Sequence, residues 1–140
     1  MGFADVVSVL DENEVIAVVT TRAGGDPVAT PIWSVVVDGV PYLRSAYGAG
    51  SHWYRNALSG RAIAIALGDG ALAERDREAA LGLPRETIAV VHLDDDAAIG
   101  RVDEEVRRKY HGLRGLDEML TDEARACTVR VVAASGQASD

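Results

Sequence analysis

Residues 42–57 read YLRSAYGAGSHWYRNA, and the predicted fold is arranged around this stretch. The segment begins as a strand, which then breaks at Gly48 and Gly50, because glycine adopts backbone conformations that side chains disfavour. Ser51 is a candidate N-cap for a helix over residues 52–58. A strand, a glycine turn and a helix start leave backbone N–H groups around one spot, so the segment predicts an anion site.

Cationic side chains flank this turn. Arg44 precedes it, and Arg55 and His52 follow it on the predicted helix. Our hypothesis is that the turn binds the phosphate of a flavin-like cofactor, with the guanidinium groups as additional donors. The alternative is an ordinary loop between a strand and a packing helix, with arginines on the surface.

The length, net charge and cysteine count restrict the class of protein. At 140 residues, the chain predicts a single domain over residues 1–140 that buries a sizeable core. A net charge of −8 argues against nucleic acid and anionic membranes as partners, because both need a basic face. The lone cysteine, Cys127, permits neither an intrachain disulfide nor a cysteine metal cluster. We therefore expect a cytoplasmic protein without a signal peptide or membrane span, ending in a flexible tail at 134–140.

Apolar alternation and β-branched residues predict six strands. They lie at residues 15–21, 28–37, 42–46, 61–67, 87–93 and 126–132. Pro31 requires an edge position or a bulge in the second strand, because proline donates no ladder bond. Asp38-Gly39 predicts a tight hairpin into the third strand.

Helical spacing predicts helices over residues 2–11, 94–111 and 116–124, and the segment 71–83 is a weak helix or a surface loop. Asp94, Asp95 and Asp96 suit a helix N-terminus better than a metal site. The first three strands lack intervening helices, which disfavours a parallel α/β sheet. The fold class predicted is mainly β with inserted helices, an antiparallel closed or partly open barrel.

The order of these elements resembles the six-stranded split β-barrel of the pyridoxamine-phosphate-oxidase-like superfamily, and in particular its flavin- and deazaflavin-dependent oxidoreductases. Residues 53–58, WYRNAL, are similar to the WYxNL helix of those enzymes, and residues 30–33, TPIW, to their threonine-proline-hydrophobic-tryptophan strand. The likeness is greater to an uncharacterised bacterial family within the superfamily. That family shares the helix ending in KY at 109–110 and the ending ARACTVRVV at 124–132.

This resemblance implies a homodimer with cofactor sites at the subunit interface, and FMN or the deazaflavin F420 as cofactor. The residues implied to line the isoalloxazine are Thr30, Pro31, Ile32 and Trp33. Those implied to face the phosphate are Arg44, Ser45, Ala46, Ser51 and Arg55. The deazaflavin reductases carry a lysine where Tyr47 stands here, and Arg44 or Arg55 is the candidate substitute because a guanidinium suits phosphate.

Three functions follow from these observations. The first is a flavin- or deazaflavin-dependent, nitroreductase-like oxidoreductase acting on an unknown small molecule, with the chemistry carried by the cofactor. The second is a non-catalytic split barrel that binds a flavin, or another small anion-bearing ligand, for storage or sensing. The third is a dimeric interaction protein with a lost or repurposed cofactor site. No catalytic residue and no metal site is predicted.

Overall fold

One antiparallel sheet dominates the computed structural model, which describes residues 2–134. Its seven strands within the described residues are β1 (Ile16–Thr21), β2 (Pro27–Ile32), β3 (Ser34–Val37), β4 (Val40–Arg44), β5 (Ile63–Ala66), β6 (Arg85–His92) and β7 (Thr128–Ala133). The spatial order is β2-β1-β5-β6-β7-β4-β3. The mainly β, antiparallel class is therefore confirmed.

The predicted count of six strands is wrong, because the strand predicted at 28–37 divides at Trp33. β2 pairs with β1, with Ile16 opposite Ile32, and β3 pairs with β4, with Ser34 opposite Leu43. β2 and β3 are thus the two outer strands of the sheet, although one residue separates them in the chain. The two edges must meet at residues 32–34, so the sheet curls into a half-barrel.

Local turn chemistry agrees with the prediction at two places. Asp38 and Gly39 both have positive φ, at 50° and 80°, as a two-residue hairpin of this kind requires. Pro31 lies in the edge strand β2, where its missing N–H removes no bond to a further strand.

Six helices pack on the sheet in the described part of the chain. They are α1 (Phe3–Glu12), α2 (His52–Ala57), α3 (Ala71–Arg75), α4 (Arg77–Ala80), α5 (Asp96–Lys109) and α6 (Asp122–Ala126), and short 3-10 turns cover Gly48–Gly50 and Asp117–Leu120. The segment 71–83 is two short helices, and the helix predicted at 116–124 is a 3-10 turn followed by α6. None of the helices described here is long and apolar enough to cross a membrane.

The long helix α5 begins as the sequence predicts. The carboxylate of Asp95 accepts hydrogen bonds from the backbone N–H groups of Ala97 and Ala98, and Asp96 lies in the first turn. Both placements complement the positive end of the helix dipole.

The end of α5 fastens α1 to the half-barrel. Lys109 Nζ donates to the carbonyl oxygens of Leu10 and Ser34, each at 2.7 Å. The Tyr110 hydroxyl donates to Glu14 O at 2.6 Å and accepts from Ser34 N at 2.9 Å. Residues 109–110 therefore supply hydrogen-bond partners to backbone groups near the C-terminus of α1 and at the start of β3. The last carbonyls of a helix have no partner within the helix itself.

Two side chains near β7 have defined surroundings. His92 Nε2 lies 2.9 Å from Ala126 O, and the lone cysteine, Cys127, is buried in the core together with Trp53 and Tyr54. The predicted flexible tail at 134–140 lies outside the described residues, apart from residue 134.

Candidate functional site

A cavity of about 1100 Å³ opens where β2, the end of β4 and α2 come together with the loop that follows α5. Its apolar wall is formed by Val28, Pro31, Ile32, Trp33, Trp53 and Met119. Cavities of this size, mostly apolar with a few placed polar groups, are typical of small-molecule and cofactor sites. The cavity adjoins the segment 42–57, for which the sequence predicts an anion site.

The charge around the cavity is strongly one-sided. Four arginines line it, Arg22, Arg44, Arg77 and Arg114, against one acid, Glu118. This imbalance is local, because the chain as a whole carries a net charge of −8. A concave surface lined by one sign of charge concentrates counter-ions, so the cavity favours an anionic ligand.

Three of these four arginines have exposed side chains. Arg22 follows β1, Arg77 begins α4 and Arg114 lies in the loop after α5, and all three are exposed. They come from three distant parts of the chain, and the sequence analysis missed them. Local sequence patterns could not have grouped these three arginines, because their proximity depends on how the chain folds.

Arg44 is different, because its side chain is only 1% exposed. Nη1 lies 2.7 Å from Asp103 Oδ1 and donates to Met119 O at 3.0 Å, and Nε donates to Thr128 Oγ1 at 2.7 Å. Burial lowers the pKa of Arg44, and the hydrogen bond with Asp103 opposes that shift. A guanidinium keeps its proton in proteins, so the cavity wall contains a buried guanidinium whose charge is paired with Asp103.

Two buried polar atoms of the cavity-lining residues lack hydrogen-bond partners within residues 2–134. They are Nη2 of Arg44 and Oγ1 of Thr20. Buried polar atoms are nearly always paired in native proteins, and exceptions call for an explanation. Both residues line the cavity, so a ligand is one candidate for the missing partner of each atom.

Most of the predicted site residues lie on this one cavity. The lining includes Thr30, Pro31, Ile32, Trp33, Arg44, Ala46 and Ser51. Ser45 and Arg55 lie outside the lining: the buried Ser45 hydroxyl donates to Gly48 O at 2.8 Å, and Arg55 is exposed on α2. Ser51 occupies the N-cap position of α2 without a side-chain capping bond. Contact of these residues with a cofactor stays a prediction.

His52 lies on the cavity wall with a defined hydrogen bond. Arg55 Nη2 is 3.2 Å from His52 Nδ1, and a guanidinium can only donate. Nδ1 is therefore the acceptor, and the neutral ring carries its proton on Nε2. In this tautomer, His52 has an N–H available as a donor.

The turn between β4 and α2 presents Tyr47 at the cavity. Its side chain is 80% exposed, and Gly48, which follows it, has a positive φ of 71°. A lysine at this place would supply charge to a phosphate. In this chain, the positive charge nearby is carried by the arginines that line the cavity.

Together these features define a split-barrel-like protein with a cationic cavity beside the junction of its two edge strands. Residues 6–131 match the model of the DUF2255 family, described as an uncharacterized protein conserved in bacteria. The chain belongs to this family. The predicted uncharacterised bacterial family is thereby confirmed, whereas membership of the pyridoxamine-phosphate-oxidase-like superfamily stays a prediction. No curated protein matches the chain significantly.

Several solved structures share the fold at low identity. The conserved hypothetical protein Rv2991 from Mycobacterium tuberculosis is 19% identical with a TM-score of 0.59, covering 96% of this chain and 80% of that one. The heme storage protein HutZ from Vibrio cholerae is 11% identical with a TM-score of 0.57, covering 91% and 85%. The FAD and heme binding protein from Mycobacterium smegmatis is 20% identical with a TM-score of 0.51, covering 92% and 64%.

These neighbours contradict the prediction of FMN or F420 as the cofactor. The group named for HutZ is heme, and for the M. smegmatis protein it is FAD with heme. At this level of identity the likeness itself shows the fold alone.

Proposed function

We propose that this protein binds a planar, acid-bearing cofactor in the cavity, and that heme is the first candidate. The observation that carries the proposal is the presence of four arginines and one acid around an apolar cavity in an acidic chain. Apolar walls suit a ring system, and arginines suit carboxylates, which they bind through paired hydrogen bonds.

Heme matches this arrangement in two respects. It is a large apolar macrocycle with two propionate groups, and the cavity offers aromatic walls together with several guanidinium groups. Two proteins of the same fold, HutZ and the M. smegmatis protein, are heme proteins by description. These descriptions support heme as the first candidate among planar acids, and the lining of the cavity supports the same choice.

The cavity-lining residues indicate how heme would be held. Arg22, Arg77 and Arg114 would bind the acid groups near the surface. The cavity residues able to ligate iron are His52, Met119 and Tyr47. Because the Arg55 guanidinium donates to Nδ1, the neutral His52 ring has its N–H on Nε2, so ligation through Nε2 would require the other tautomer. When bound, heme would supply redox or ligand-binding chemistry at its iron.

Titration with ferric heme tests the proposal. We expect a saturable shift of the heme absorbance band with one heme per chain. A triple variant, Arg22→Ala with Arg77→Ala and Arg114→Ala, should bind at least about tenfold more weakly, the loss that one charge-assisted bond accounts for.

The matched control removes three exposed arginines elsewhere, Arg85, Arg101 and Arg130. Both triple variants have the same net charge, so a general charge effect would weaken both equally. Retained affinity in the control and loss in the cavity variant support the proposal. Equal losses, or no saturable shift in the wild type, overturn it.

Oxidoreductase activity, the homodimer and a cytoplasmic location remain predictions from the sequence. Sedimentation equilibrium of the purified protein measures the assembly directly. The heme-loaded protein, assayed with a nicotinamide donor, separates an oxidoreductase from a storage or sensing protein.

A further inference from the structure

We propose that Arg44 and Asp103 form an acid-recognition unit at the cavity: Arg44 Nη2 binds an anionic oxygen group of the ligand, and Asp103 is the positioning residue that orients the guanidinium. The inference rests on the proposed function for the presence of an acid-bearing ligand. It assigns that acid a specific partner.

The hydrogen-bond inventory of Arg44 leads to this assignment. A guanidinium has five N–H donors, one on Nε and two on each terminal nitrogen. Three bonds are made, by Nε to Thr128 and by Nη1 to Asp103 and Met119. The two donors left over are both on Nη2, which has no partner within the described residues. The two N–H groups of Nη2 therefore remain for an acceptor that residues 2–134 do not provide.

The guanidinium is held from three sides. Thr128 begins β7, Met119 lies in the 3-10 turn Asp117–Leu120, and Asp103 lies within α5. The second oxygen of Asp103, Oδ2, accepts from Arg125 Nε at 2.9 Å. Because both of its oxygens are engaged, Asp103 holds Nη1 and cannot turn to satisfy Nη2 as well.

Burial favours an acid group as the partner of Arg44 Nη2. The Arg44 side chain is 1% exposed, so an acid bonded to Nη2 lies away from water, where a charge-assisted bond is strong and salt screens it little. The exposed arginines Arg22, Arg77 and Arg114 attract acids too, but dissolved salt weakens their effect. Thr20, whose buried hydroxyl also lacks a partner within residues 2–134, is a second and independent sign that the ligand brings polar atoms into the cavity.

Acid recognition can be measured by comparing ferric heme with its dimethyl ester, which has the same ring and no acid. At about 0.5 M salt, where the Debye length is a few ångströms, the exposed arginines are largely screened. We expect the wild-type protein to prefer the free acid over the ester by about tenfold or more, a ratio typical of one charge-assisted bond. This measurement needs no variant. A wild-type ratio near one overturns the inference while leaving heme binding intact.

Variants of Arg44 and Asp103 distinguish recognition of the acid from structural support of the cavity. Arg44→Gln should reduce the acid-to-ester ratio to near one. Asp103→Asn should also reduce this ratio, while ester affinity stays within about twofold, or about 0.4 kcal/mol. Arg44→Lys keeps the positive charge but not the planar array of N–H donors. Its acid-to-ester ratio should therefore lie between those of the wild type and Arg44→Gln. The control is Asp122→Asn, which alters an exposed acid 3.8 Å from Arg125 and should change neither affinity.

A purely structural role gives a different result. If Asp103→Asn weakened acid and ester equally, Asp103 would only support the cavity, and the assignment would be wrong. If Arg44→Gln fails to fold, Asp103→Asn and the wild-type ratio still decide the matter. If wild-type protein binds neither compound, the proposed function fails, and this inference fails with it.

Discussion

Trp33 lies flat against Tyr110, with ring centroids 4.0 Å apart and an angle of 4° between the planes. Trp33 is the residue at which the two edge strands meet, and it lines the cavity. Tyr110 is fully buried at the end of α5. The stack therefore joins the cavity wall to the helix that also supplies Asp103. Trp33, which the resemblance implied to line a cofactor ring, thus packs against Tyr110 and also lines the cavity.

The Tyr110 hydroxyl is the first group to test. Replacing it, in Tyr110→Phe, leaves Ser34 N and Glu14 O without their partner while keeping the stacked ring. We expect a loss of about 1–3 kcal/mol in the free energy of unfolding, the cost of unsatisfied buried polar groups. Urea unfolding measures it, and Tyr47→Phe, at an exposed hydroxyl, should stay within about 0.5 kcal/mol of wild type. Equal stability of the two variants would contradict the hydroxyl's role.

Lys109 makes stability depend on pH in a defined window. Burial lowers the pKa of Lys109 to about 8, from its ordinary value of 10.5. The folded protein therefore releases this proton at lower pH than the unfolded chain does. Between about pH 8 and 10 the unfolded state binds more protons, so the Lys109 contribution to the free energy of unfolding rises with pH. Below pH 8 the cost of burying the charged amine is present in full.

The variant Lys109→Met removes this contribution, because it has no titratable group. We expect the difference in free energy of unfolding between wild type and variant to grow in favour of wild type from pH 8 to 10. Taking the difference cancels the general effect of rising negative charge. A difference that stays flat across this window would show that Lys109 titrates normally.

Gly70 permits a close contact between backbones. A Cβ added there would lie 2.1 Å from the carbonyl carbon of Ile16, although the backbone of Gly70 itself is helical, with φ at −68°. Gly70→Ala should cost about 3 kcal/mol or more, because backbone atoms in β1 cannot move aside as a side chain would. Thermal or urea unfolding measures the loss.

The matched control is Gly100→Ala, within α5. An added Cβ at Gly100 meets no atom within 4 Å. Alanine should stabilise the helix by up to about 1 kcal/mol, since glycine has the greater conformational entropy to lose. If both variants behaved alike, the close approach at Gly70 would not be the cause.

The N-cap of α5 is the fourth test. Asp95→Ala removes the acceptor for the N–H groups of Ala97 and Ala98, and we expect a loss of about 1 kcal/mol in the free energy of unfolding. Asp95→Asn keeps a side-chain oxygen and should retain most of the stability. An asparagine variant as unstable as the alanine variant would point to the charge, rather than the hydrogen bond, as the stabilising feature.

The sequence by itself determined the features that depend on neighbouring residues. The Asp38-Gly39 hairpin, the N-cap at Asp95 and the strand, glycine turn and helix of residues 42–57 follow from turn chemistry and periodicity. Most of the predicted site residues also share one cavity, because they lie on two segments that the half-barrel brings together.

Only the tertiary structure decided the division of strand 28–37 at Trp33 and the partners of Arg44. Asp103 and Thr128 are 59 and 84 residues away from Arg44 in the chain, and Arg22, Arg77 and Arg114 meet only at the cavity. Local periodicity contains no information on which distant side chains face each other. The strand order and the curl of the sheet decide which distant side chains meet. They place the turn that the sequence predicts as an anion site beside a cavity whose wall contains the buried guanidinium of Arg44.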